Sequence, residues 1–267
     1  MADILYHYCS IETLELILKN KTFRFSSLGI VDDMEEALTS DFEDIGRICF
    51  VSCWTDLAQE SVEMWRTYTG GNNGVRIGIS TNLFNFDLDE NGIPLPSNKI
   101  MTENDVCISP PYSPQLIPVT YTKDDDLINP TVGKIDNNIC NKCGRKTSDL
   151  NLQTNYIGRF KREYWSGQSE WRYILIAIPK EYYRNNERGK YLNGDPEDLT
   201  KLMKSDLINM TFDNDYIDFP FNKFALDQIE LILSPLNSAE DNKRAEELIK
   251  NYTNNATVKP SSLRMRK

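Results

Sequence analysis

Leu5-Tyr6-His7-Tyr8-Cys9-Ser10 opens the chain as an apolar strand that runs straight into a helix. Alternation along a strand puts Leu5, His7 and Cys9 on one face and Tyr6 and Tyr8 on the other. His7 is the only histidine in 267 residues, so no multi-histidine metal centre can form and any imidazole chemistry passes through this strand. Ser10 carries the oxygen of a helix N-cap, and Glu12 follows in the first turn, where a carboxylate suits the positive dipole end. Ile11, Leu14, Ile17 and Leu18 recur at helical spacing and give that helix one inward face. The junction also offers backbone amides to a polar or anionic ligand.

A second stretch, Trp165-Ser166-Gly167-Gln168-Ser169-Glu170-Trp171-Arg172-Tyr173, sets a carboxylate at the mouth of a strongly apolar strand. Arg172 lies two positions on, hence on the Glu170 face. The flanking indoles would desolvate the carboxyl and raise its pKa, whereas Arg172 would favour the ionised form. Each residue has a plainer description: His7 as a satisfied core histidine, Glu170 as a solvated strand edge paired with lysine.

The formal net charge of -10 argues against an extended nucleic-acid footprint, which needs Lys and Arg to displace counterions. Lys161, Arg162 and Arg172 cluster near Glu170 and leave room for a local basic groove. No run approaches the ~20 apolar residues of a membrane span, and the N-terminus lacks the basic flank and apolar run of a secretion signal. The six cysteines are too few for a disulfide scaffold at this length, so reduced thiols and a cytoplasmic location are expected.

Outward from these anchors, strands are expected over 22–26, 48–54, 74–80, 116–122, 171–178 and 226–233. Helices are expected over 60–68, 151–165, 195–210 and 238–252. This mixture lacks a regular βαβ alternation, so it predicts an α+β fold. A single domain over 1–267 is expected, with insertions near 82–115 and 123–150; the first is either a functional insertion or a lid.

Other motifs carry less. Cys140-x-x-Cys143 lacks the second pair that a zinc site needs, so no metal is expected. Gly70-Gly71-Asn72-Asn73-Gly74 lacks the Lys-Ser/Thr ending of a phosphate loop. Asp32, Asp33, Glu35 and Glu36 match no calcium loop and read as a solvated helix start.

An ordered set of motifs resembles the bacterial DUF2971 family: Leu5-Tyr6-His7-Tyr8-x-Ser10, Phe25-Ser26-Ser27-Leu28, Asp32-Asp33-x-x-Glu36, Phe50-Val51-Ser52-Cys53-Trp54, Met64-Trp65-x-x-Tyr68, Gly74-Val75, Val119-Thr120-Tyr121 and Lys161…Trp165…Glu170-Trp171-Arg172. Asp32 stands where that family often has Asn, and Met34 where Pro is common. The family is similar to the ADP-ribosyltransferase superfamily, with an early-strand His or Arg and a late-strand Glu.

The resemblance implies a split-sheet core that grips NAD as substrate, and transfer of ADP-ribose to a macromolecular acceptor, RNA slightly ahead of protein. It further implies the toxin of an antiphage toxin–antitoxin system, with an antitoxin protein as partner. Glu170 and His7 would be catalytic, Glu170 steadying the sugar cation and taking the nucleophile's proton. His7, Tyr8, Ser10, Arg24, Ser26, Ser52, Trp65, Tyr68 and Arg172 would line the dinucleotide site. Trp65 or Tyr68 would stack on nicotinamide, and Arg24 or Arg172 would meet the pyrophosphate. A non-catalytic nucleotide sensor and an NAD glycohydrolase are the alternatives.

Overall fold

The computed structural model describes residues 3–266 except 43–44, 71–72, 85, 87–89, 91–94, 110–112, 140–141, 145, 181–213, 223–224 and 227–228. The helix expected over 195–210 lies outside the described residues, as do Cys140 and part of the glycine run at 70–74.

The strands are β1 (Ile4–Cys9), β2 (Thr22–Ser27), β3 (Cys49–Thr55), β4 (Val75–Ser80), β5 (Val106–Ser109), β6 (Gln115–Pro118), β7 (Thr120–Thr122), β8 (Gly133–Ile139), β9 (Lys146–Leu152), β10 (Phe160–Arg162), β11 (Glu170–Pro179), β12 (Tyr216–Pro220), β13 (Glu230–Leu233) and β14 (Thr257–Pro260). The helices are α1 (Ile11–Asn20), α2 (Val62–Tyr68), α3 (Leu95–Glu103), α4 (Asp125–Ile128) and α5 (Ala239–Tyr252). The fold is α+β. Ten strands form one sheet in the order β12-β2-β3-β1-β4-β13-β14, with β11 on the other edge of β3 and β5 and β6 end to end along β11.

The sheet forks at β3. One edge of β3 pairs with β11 from Cys49 to Thr55. The opposite edge meets β2 only at Phe50 and Val51 and β1 only at Thr55. Between those contacts β1 and β2 diverge, and α1 joins their far ends. Ser10 caps α1 by accepting from the Thr13 amide at 3.1 Å. Lys21 ends it in the left-handed conformation, its amide donating to the Ile17 carbonyl at 2.9 Å. The inward stripe Ile11, Leu14, Ile17 and Leu18 is buried in the main core with Phe23, Phe25, Ile77 and Leu175. α5 packs beside α1, with Arg244 bridging Glu12 and Glu15 at 2.7 Å each.

Two expectations need correction, and the 123–150 stretch takes shape. The 151–165 stretch is not helical, because Gly158 turns the chain at φ +69 and Phe160–Arg162 pairs in parallel with Thr120–Thr122. The 82–115 stretch is not wholly an excursion, since β5 pairs with β11 and belongs to the main sheet. The excursion at 123–150 holds α4 and the hairpin strands β8 and β9.

Candidate active site

His7 and Glu170 line one cavity of about 80 Å³, together with Tyr6, Tyr8, Cys53, Met64, Tyr68 and Gln168. His7 and Cys53 are also in the wall of a larger cleft of about 350 Å³, bounded by α1 and by Arg24 and Ser26 of β2. That cleft occupies the fork between β1 and β2. The fold therefore hollows out the site where the ladder fails to close.

The His7 ring lies against Trp54, with centroids 5.1 Å apart, and edge-on to Phe23 at 5.9 Å. Its Nδ1 donates to the Cys53 carbonyl at 3.0 Å, since a carbonyl only accepts. Burial lowers the imidazole pKa, more than the carbonyl contact raises it. The neutral ring therefore carries its proton on Nδ1 and keeps the Nε2 lone pair for a donor.

Glu170 begins β11, anchored by its amide donating to the Tyr121 hydroxyl at 2.8 Å. Its carboxylate belongs to a buried ionic quartet. Arg172 Nε donates to Glu170 Oε1 at 2.6 Å, and Lys161 Nζ to Oε2 at 3.0 Å. The same two cations meet Glu36, Lys161 at 3.1 Å and Arg172 through Nη1. Arg172 Nη1 also donates to the Gly158 carbonyl at 3.0 Å. Burial pushes the Glu170 pKa up, but Arg172 and then Lys161 outweigh it and hold the carboxyl at about 2. The Cys53 thiol adds a hydrogen bond to Glu170, and its own pKa is pushed up by burial and then by the Glu170 charge. That sulfur stays protonated.

Tyr68 reaches the cavity from the last turn of α2, its hydroxyl accepting from Gln168 Nε2 at 2.9 Å. Burial, then the Glu170 charge, raises its pKa. Gln168 was missed by the sequence reading. Its Oε1 accepts from Lys161 at 3.2 Å, which ties Tyr68 to the quartet. The signal was hidden because Ser169 adopts φ +42 and breaks the strand alternation leading into Glu170.

Tyr8, Arg24, Ser26 and Tyr68 border the two hollows with the His7–Glu170 pair; four other expected residues do not. Trp65 is fully buried, its ring 4.8 Å from that of Tyr8 and its Nε1 donating to Glu60, so it cannot stack on a ligand. Ser52 accepts from Trp54 Nε1 on the core side of β3; alternation turns Val51 and Cys53 to the cleft instead. Ser10 is occupied as the α1 cap and lines neither hollow. Arg172 is fully buried among its carboxylates and out of reach of a pyrophosphate. Arg24 is exposed, held by Asp218 at 2.9 and 3.1 Å and packed over the Tyr216 ring.

The local basic groove for which the sequence left room does not form among the described residues. Lys161 and Arg172 are buried, and Arg162 is ion-paired with Glu35 at 2.9 Å and Asp125 at 2.6 Å. The acidic run is also not a solvated helix start: Glu36 completes the quartet, Glu35 binds Arg162, and Asp33 caps a short 3-10 turn, accepting from the Glu35 amide. Among the described residues no group of three or more His, Cys, Asp or Glu is placed to hold a metal ion, and Cys143 is an exposed free thiol. No helix among them is long and apolar enough to cross a membrane.

Residues 64–173 match the model of DUF2971, described as a protein of unknown function. The resemblance is thus shown across Met64–Tyr68, Gly74-Val75, Val119–Tyr121 and the Lys161–Arg172 motif, while His7 and β3 precede the matched span. No curated protein matches the sequence. Among solved structures, DarT of Thermus sp. 2.9 in complex with carba-NAD+ is similar at 9% identity and a TM-score of 0.28, over 96% of this chain and 95% of that one.

Proposed function

We propose that the chain is an NAD-consuming ADP-ribosyltransferase. The observation that carries this reading is the meeting of His7 and Glu170, distant in sequence, in the wall of one cavity. The bond between nicotinamide and ribose breaks with its electron pair leaving on nicotinamide, and positive charge grows on the anomeric carbon and ring oxygen. An ionised carboxylate at that place stabilises the transition state electrostatically. Glu170, with its pKa near 2, is ionised at any physiological pH. The same low value makes it a poor base, so the acceptor's proton leaves to solvent rather than to Glu170.

The smaller cavity accommodates the nicotinamide end, with Tyr68 against the ring. The cleft beyond His7 takes the rest of the dinucleotide along Arg24 and Ser26. His7 Nε2 accepts from a ribose hydroxyl. The acceptor is a macromolecule. With Lys161, Arg162 and Arg172 neutralised by carboxylates, the local charge argument for RNA is lost and a protein acceptor is favoured. A toxin role, opposed by an antitoxin protein, belongs to the same reading.

The test is incubation of the chain with labelled NAD and, in separate arms, total RNA and cell lysate. Label in protein is the expected result; label in RNA would revise the acceptor, and free nicotinamide without labelled acceptor would replace transferase by glycohydrolase. Induced expression should slow growth, and an unaffected culture would remove the toxin role. A second reading has its own support: both Glu170 oxygens already hold cations, as in a nucleotide-binding sensor with no chemistry. Tight NAD binding with no nicotinamide release would select it.

A further inference from the structure

A third hollow, of about 430 Å³, opens where β5 ends and β6 begins along β11. Its volume falls in the range of small-molecule sites. Ile174 and Ile176 of β11 form an apolar floor, and the hydroxyl-bearing residues Ser109, Ser113 and Thr154 stand around it. Arg159 completes the wall. None of its described lining residues is acidic.

Arg159 is the anomaly. Its Nε is buried with no partner, and among the described residues its guanidinium has neither ion pair nor hydrogen bond. The fully buried cations each hold acceptors: Lys161 and Arg172 hold carboxylates, and Arg76 donates through Nη2 to the Leu57 and Ala58 carbonyls, although its Nε, like that of Arg159, has no partner. Arg159 is half-buried, and its buried Nε without an acceptor is costly; in a chain of net charge -10 a carboxylate partner would have been easy to supply. An acceptor from outside the chain resolves the imbalance.

We propose that this hollow is a second ligand site, for a small organic phosphate monoester of nucleoside-monophosphate size. A guanidinium and three hydroxyls offer more donors than the two oxygens of a carboxylate can use, whereas a phosphate presents three terminal oxygens and matches arginine bidentately. The isoleucine floor covers the apolar face of the attached body. The site lies on the Glu170 face of β11, with Ile174 roughly 13 Å along the strand from that carboxylate at strand rise. It is separate from the cleft at His7 and does not rest on the NAD reading.

The test is calorimetric titration of the full chain with adenosine 5′-monophosphate, adenosine and inorganic phosphate. The monophosphate should bind saturably at one site, with adenosine weaker by about tenfold or more, as expected for loss of a charge-assisted bidentate pair. Inorganic phosphate should bind weakly and be displaced by the monophosphate. Arg159→Gln should weaken the monophosphate by a similar factor, Arg159→Lys by less, and Lys243→Gln, at an exposed lysine of α5, not at all. Should Arg159→Gln fail to fold by circular dichroism, Thr154→Val gives the same contrast by several-fold weakening. No saturable binding, or unchanged binding in folded Arg159→Gln or Thr154→Val, would overturn the proposal.

Discussion

The Nδ1 of His7 donates to the Cys53 carbonyl at 3.0 Å, on the stretch of β3 that β1 has left and β2 has not yet reached. A side chain thus supplies the hydrogen bond that a neighbouring strand would otherwise give. The histidine that borders the cavity also seals the fork that creates it.

Removing the ring should expose that double role. His7→Ala leaves the Cys53 carbonyl without its donor, a loss of roughly 1–3 kcal/mol for an unsatisfied buried acceptor. His7→Asn, whose amide can still donate, should recover part of it. Urea melts measure the stability, and NAD titration of both variants should show weakened binding in each.

The quartet makes Glu170→Gln a harsher change than a simple catalytic deletion. It leaves Lys161 and Arg172 facing Glu36 alone, and breaking a buried ionic set in this way costs roughly 3–5 kcal/mol. Nicotinamide release should vanish and Tm should fall together. Glu36→Gln should lower Tm comparably while retaining measurable turnover, because Glu36 is absent from the cavity wall. Equal loss of turnover in both variants at a temperature where both are folded would deny Glu170 a special role.

Tyr68 and Trp65, neighbours on α2, should separate cleanly. Tyr68→Ala removes the ring from the cavity and should raise KM for NAD about tenfold, as loss of one aromatic contact would. Tyr68→Phe, which loses only the Gln168 bond, should stay within a few-fold. Trp65→Ala should instead cost roughly 3–5 kcal/mol of stability, as truncation of a buried Trp does. Steady-state kinetics beside thermal melts distinguish the two.

Stability should fall in two stages on acidification. Burial holds His7 below its ordinary 6.5, so the folded state resists a proton that the unfolded chain accepts; its contribution is full above pH 6.5 and declines as pH falls toward the lowered value. Glu170, depressed from 4.5 to about 2, contributes fully above pH 4.5 and loses that contribution as pH falls through 2. In Tm measured from pH 8 to pH 2, His7→Asn should flatten only the upper stage. A wild-type Tm that rises between pH 6.5 and pH 5 would contradict the neutral, buried imidazole.

Much of the fold was legible one element at a time. The stripe Ile11, Leu14, Ile17 and Leu18 gave α1 because burial follows helical period, and Ser10 capped it because its side-chain oxygen lies within reach of the Thr13 amide. The apolar run after Glu170 gave β11 because a strand buried on both faces needs no alternation. The 151–165 stretch misled because its fate depends on β7, a partner some forty residues upstream that no local pattern announces.

The site divides in the same way. The sequence alone determined that imidazole chemistry has one address, that Glu170 and Arg172 share a face, and that Trp65 and Tyr68 ride one short helix. Only the tertiary structure decided that β1 and β2 part along β3, so that His7 meets Glu170 across Cys53. It also decided that Lys161, Arg172 and Glu36 vanish into an ionic quartet instead of forming a basic rim. Local periodicity is written in near neighbours along the chain, whereas pairing of charges and forking of strands are set by which distant segments pack together, and that choice is made only when the core closes.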